Sequence, residues 1–324
     1  MTLAIPRDPL AAFIAIVEAL KEQQRWFDDR TILRYAALPL IVAKDDPQTL
    51  AARVAAGGKT LAESAGWLSD LRGSMRYVLA ALAVAAGTDP HDLTRALEAI
   101  QARFREVGVR RGGAYESIAA AMLHFAGKDS HSDVLRLQRI YVAMREHHWW
   151  LTGPGDLPAC ALLTVHGGDV MSMTSRIEAM YTRLREHGLA ASDGLQLASH
   201  VLCLAPGTVP EATNRMLDLF EGFKGKGIQM WDADRDELAM LCLLGDEPAK
   251  LIELVVEHRA RIKERLSFVG AVTSFSYACG TAFLAARAGQ RLVDPLAQTV
   301  QVANLVQAVN AVLVMQQRRQ AASS

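Results

Sequence analysis

The sequence predicts an all-α chain built from tandem helix–turn–helix hairpins of about 40 residues, stacked as an α-solenoid or curled into an α/α ring. Three observations predict it. Six small apolar stretches centre on Ala80, Ala119, Ala159, Ala198, Ala239 and Ala278, at steps of 39, 40, 39, 41 and 39 residues. A glycine follows each one, at Gly87, Gly127, Gly168, Gly207, Gly245 and Gly289. Apolar residues make up 51% of the chain while aromatics make up only 6%. Alanine and leucine supply most of that apolar content, which favours closely packed helices over strands.

The first 72 residues read as an N-terminal helical region continuous with the array. Asp8-Pro9 offers an N-cap followed by a proline at the first helical position. Leu10, Phe13, Ile14, Val17 and Leu20 then recur on one helix face. Thr31 is expected to cap a second helix running to Val42, Asp46-Pro47 to start a third, and Gly57-Gly58 to end it. Thr60 is expected to open a fourth, toward Leu71.

Residues 73–289 carry the regular pattern. In each unit, apolar residues fall one before the alanine, at it, and three and four after it, as in Ile118, Ala119, Met122 and Leu123. That spacing is one helical face. The glycine suits a helix end because it tolerates the left-handed conformation. Capping signals for a second helix follow at Asp89, Ser130, Asp169, Thr208 and Asp246. A bulky residue then recurs at Phe104, Tyr141, Tyr181, Phe220 and His258. One such hairpin cannot bury its apolar face alone, so the hairpins must stack. Residues 290–324 read as a capping helix begun by Asp294-Pro295, with a tail fraying from Arg318.

The segments LRGSMRYVLAALAVAAG, REHHWWLTGPGDLPACALL, LQLASHVLCLAPG and VQAVNAVLVMQQRRQAASS resemble an uncharacterised bacterial family, domain of unknown function 4003. The likeness runs from about Leu10 to the C-terminus. It implies an all-helical bacterial protein and carries no activity with it.

Bulk properties narrow the function classes. Thirty-five basic residues balance 35 acidic ones. Nucleic-acid binders draw their affinity from a basic excess or stripe, and Arg110-Arg111 is too short to be one. Cys160, Cys203, Cys242 and Cys279 form no CxxC and sit in apolar helices, which predicts buried thiols and a reducing, cytoplasmic setting. The N-terminus lacks the basic n-region of a signal peptide. Leu296–Met315 is apolar enough to suggest a membrane span, but Gln298, Gln301, Asn304, Gln307 and Asn310 interrupt it. A helix buried against protein, or a homodimer seam, is expected there instead. No P-loop, serine elbow or HExxH occurs, so no cofactor, metal or catalytic residue is expected.

The candidate binding residues are departures from the repeat. Three before each alanine stand Tyr77, Glu116, Asp156, Leu195, Asp236 and Phe275. The three carboxylates could form an acidic rim, or simply complement helix dipoles. His200 is a histidine in an otherwise small, apolar column, suited to acid–base work or to a hydrogen-bonded core position. Trp149 and Trp150, beside His147-His148, could anchor a ligand or plug a hairpin end. Arg72 and Arg76 could hold an anion or pair with acids. The DADRDE run at 232–237 departs from a calcium loop at its sixth and twelfth positions, and a solvated helix N-terminus is expected. The leading expectation is a scaffold that binds a protein or peptide on the first helices. The alternative is a ring with a central acidic pocket for a small molecule or an enzyme substrate.

Overall fold

A computed structural model describes residues 4–23, 29–64, 73–109, 112–147, 152–267, 269–293 and 296–323, with side chains in the last helix described as far as Met315. Among these residues there are fifteen α-helices and no strand beyond a lone bridge between Ala4 and Arg291. In chain order they are α1 (Pro9–Glu22), α2 (Arg30–Ala37), α3 (Pro47–Ser64), α4 (Met75–Ala86), α5 (Pro90–Glu106), α6 (Ala114–Phe125), α7 (His131–His147) and α8 (Leu157–His166). There follow α9 (Val170–Glu186), α10 (Asp193–Leu202), α11 (Val209–Gly225), α12 (Arg235–Cys242), α13 (Pro248–Arg265), α14 (Ala271–Ala285) and α15 (Leu296–Ser323).

Local chemistry sets most of these boundaries. Asp8 accepts from the Ala11 amide at 2.8 Å, Asp89 from His91 at 2.8 Å and Asp169 from Ser172 at 2.8 Å. Thr208 and Glu211 form a reciprocal capping box at the start of α11. The glycine after each alanine core has φ between 62° and 96°, so each takes the left-handed turn for which it was singled out. All six core alanines are fully buried, which lets neighbouring helix backbones approach closely.

Five boundaries differ from the sequence expectation. Asp29, not Thr31, caps α2, accepting from the Thr31 amide at 2.8 Å. That helix ends at Ala37, because Pro39 has no amide hydrogen to continue the helical ladder and a 3-10 turn follows. Helix α3 does not stop at Gly57-Gly58 but continues to Ser64. A Cβ on Gly57 would lie 3.3 Å from that of Ala80, and one on Gly58 would lie 3.0 Å from the Tyr77 ring. These glycines serve close packing of α3 on α4 rather than chain reversal. At α13, Glu247 holds the cap position and Asp246 instead bonds Arg287 at 2.6 Å. The C-terminus also stays helical to Ser323 rather than ending at Arg318. The expected Asp294-Pro295 helix start lies outside the described residues.

Packing runs in two series. Helices α3, α5, α7, α9, α11 and α13 each pack on the next, and so do α4, α6, α8, α10, α12 and α14. At the chain's beginning, α1 packs on α2 and α3, and also on α13 and α14. Backbone bonds tie the same regions: the Ile5 amide donates to Gln290 at 2.9 Å and the Gly289 amide to Ile5 at 3.0 Å. Tyr277 on α14 donates its hydroxyl to the Thr31 carbonyl at 3.1 Å and packs edge-on against Tyr35 at 4.9 Å. Helix α15 lies against α2, α4, α6, α8, α12 and α14. Its segment Leu296–Met315 has the length and composition to cross a membrane, but two thirds of it is buried inside this fold. The four cysteines are free and buried.

Candidate functional site

The residues three before each alanine all sit at the starts of α4, α6, α8, α10, α12 and α14, and all six are buried. Each is held by its own surroundings. Tyr77 lies under the Arg76 guanidinium, 4.5 Å from its ring centre, and accepts a 2.9 Å hydrogen bond from it. Glu116 pairs with Arg105 of the preceding helix and accepts from the Gly112 amide at 2.9 Å. His200 is buried on α10. Arg72, Trp149 and Trp150 lie outside the described residues.

Asp156 closes a 3-10 turn that leads into α8. Its Oδ2 accepts from the Gly153 amide at 2.8 Å and its Oδ1 from Gln196 Nε2 at 3.1 Å. Burial pushes its carboxyl up to about 7, against these hydrogen bonds. The same arrangement recurs before α12, but at Asp234 rather than at the expected Asp236. Asp234 closes a 3-10 turn, accepts from the Trp231 amide at 2.7 Å, and is raised by burial to about 7. Helix α12 begins four residues before its alanine and α8 only two, which moves the equivalent position.

The DADRDE run therefore does not form a solvated helix N-terminus. Asp234, Asp236 and Glu237 are each no more than 2% exposed. Over Glu237 lies α15, whose Asn310 donates to Glu237 Oε1 at 2.6 Å. Beside it, the Ser276 hydroxyl donates to Gln307 Oε1 at 3.1 Å. Burial and the neighbouring Asp236 carboxyl push Glu237 well above the usual carboxylate range, and burial also raises Asp236. Two adjoining buried carboxyls cannot both ionise cheaply, so Glu237 holds a proton against Asp236. Asp234 Oδ1 has no hydrogen-bond partner. Among the described residues, no group of three or more His, Cys, Asp or Glu is placed to hold a metal ion. The cluster reads as a protonated polar joint that seats α15 on α12 and α14.

A cavity of about 360 Å³ lies elsewhere. The C-terminal ends of α4, α6 and α8 wall one side through Ala86, Met122, Phe125, Val165 and His166, with Leu204 just beyond α10. The first half of α15 walls the other side through Val300, Gln301, Asn304 and Leu305. None of the described candidate residues lines it. Their positions open the first helices, whereas the cavity sits at the helix ends marked by the recurring glycines.

A family model described as "Protein of unknown function (DUF4003)" matches residues 16–318. The chain belongs to this family. No curated protein matches it, and no solved structure does. The match runs from within α1 into α15, so the acidic joint and the cavity both fall within the DUF4003 region. The signals for these features were present in the sequence but separated: residues three, six or seven after an alanine, such as Met122, Phe125, Leu162 and Val165, on one side, and amides spaced along α15 on the other. Nothing local says that the two meet.

Proposed function

We propose that this protein is an α/α ring that binds an apolar small molecule in the chamber between its first helices and α15. The ring reading rests on the two packing series and on the contacts of α1 with α13 and α14. In it, α15 runs through the middle and occupies most of the inner surface. One observation carries the binding reading: the cavity has about 360 Å³ of space, and its described lining contains no Asp, Glu, Lys or Arg. Ligand sites of about 300–1,000 Å³ are walled mainly by apolar side chains with a few polar groups that orient the ligand. Gln298, Gln301, Asn304 and His166 are those groups here.

The test is titration of an environment-sensitive apolar dye into the protein and into Met122→Trp, which places a large ring in the chamber. Saturable one-to-one binding, weakened at least tenfold by Met122→Trp, is expected. No saturable binding, or equal binding by both proteins, refutes the reading.

A protein or peptide partner on the first helices is the second reading. It is favoured by α15 itself, a helix that lies across six others as a docked peptide would. Such a partner would compete with α15, and faster amide exchange in α15 upon mixing would report it.

A further inference from the structure

We infer that the chamber selects a ligand with an apolar tail and a cationic, ammonium-type head. The inference deepens the small-molecule reading above and rests on it. The reason is the orientation of the surrounding helices. Ala85 and Ala86 are the last residues of α4, Phe125 is the last of α6, and Val165 and His166 are the last of α8. All five line the chamber. Three helix C-termini therefore converge on one apolar space.

Each C-terminus carries about half a negative charge; the following turns cap the Ala83, Val84, Met122, Leu123, His124 and Leu163 carbonyls, and the final carbonyls beyond these have no partner inside the helix. The start of α15, with Ala297 and Gln298 in the wall, brings one positive helix end against these three negative ones. No described lining residue is a lysine or arginine, Arg136 instead bonding the Gly168 carbonyl beyond the end of α8, and His166 is the one titratable side chain among the lining residues. The net field favours a cation, and the surrounding apolar walls weaken its screening.

The available hydrogen-bonding chemistry agrees. Helix-end carbonyls only accept, and the amide oxygens of Gln301 and Asn304 can accept as well. An ammonium only donates, whereas a carboxylate only accepts and would face these oxygens unfavourably. The Phe125 ring adds a surface to which a cation is attracted. The methyl-rich remainder of the wall, including Leu82, Ile118 and Leu162, suits an aliphatic tail.

The experiment is calorimetric titration of the full chain with decylamine, decanol and decanoate at pH 8, below their aggregation limits. At that pH an ordinary alkylamine is charged, a carboxylate is charged and an ordinary imidazole is neutral. Decylamine is expected to bind at least tenfold tighter than decanoate, with decanol between them. His166→Lys, which fixes a cation at the end of α8, should narrow or reverse that preference. Decanoate or decanol binding as tightly as decylamine overturns the cationic head while leaving the chamber reading standing, provided Met122→Trp weakens all three. Decylamine binding that is unchanged by Met122→Trp also overturns it, because the amine then binds elsewhere. Absence of binding by all three ligands removes both readings.

Discussion

Replacing Asp156 with asparagine should stabilise the protein, and should do so only above weakly acidic pH. In the native state the carboxyl is buried and its pKa is raised from 3.8 to about 7. A raised carboxyl binds more protons when folded than when unfolded between those two values. Its contribution to stability is therefore fully present below about pH 4 and is lost as pH rises toward 7. A shift of about three units corresponds to about 4 kcal/mol at 1.36 kcal/mol per unit, which is an upper bound for one group. Asparagine removes the titration while keeping the shape. Its Oδ1 can still accept from the Gly153 amide. The Gln196 amide can rotate so that its Oε1, now without a partner, accepts from the new Nδ2. The variant should gain about 2–4 kcal/mol at pH 8 and less than about 1 kcal/mol at pH 4.5. Urea unfolding followed by far-ultraviolet circular dichroism across that range measures the difference. A stability difference that does not change with pH, or one that favours the wild type at pH 8, refutes the argument that burial dominates at this site.

Two further outcomes follow from the packing. Glu237→Gln should change stability by less than about 1 kcal/mol at pH 7, because the glutamate already carries a proton, whereas Asn310→Leu should cost about 1–3 kcal/mol by stranding its Oε1; hydrogen exchange in α15 should rise in the second variant and not in the first. Gly194→Ala should destabilise by about 1–3 kcal/mol, since its Cβ would fall 2.4 Å from the Asp232 carbonyl oxygen, while Gly225→Ala meets nothing and should be neutral or stabilising; thermal melts of the pair would separate them.

Much of the helix grammar was readable because its causes are local. Asp8, Asp89, Asp169 and Thr208 bond amides two or three residues ahead, so the residues that make each cap are neighbours in sequence. The left-handed glycines close helices whose last turns immediately precede them. Gly57-Gly58 misled for the opposite reason. Whether a glycine ends a helix or admits a neighbour depends on what packs there, and Ala80 and Tyr77 come from another helix.

The candidate sites divide along the same line. Periodicity and capping chemistry determined that the chain would be helical, that its alanines would be buried and that its glycines would turn. These depend on backbone geometry within a few residues. Only the tertiary structure decided that Asp234, Asp236 and Glu237 are buried, with α15 meeting Glu237 through Asn310, and that the first half of α15 faces the ends of α4, α6 and α8. Asn310 and Glu237 meet across 73 positions of sequence. Burial, and with it the protonation of a carboxyl or the existence of a cavity, is a property of which distant surfaces come together, and no local pattern of residues carries it.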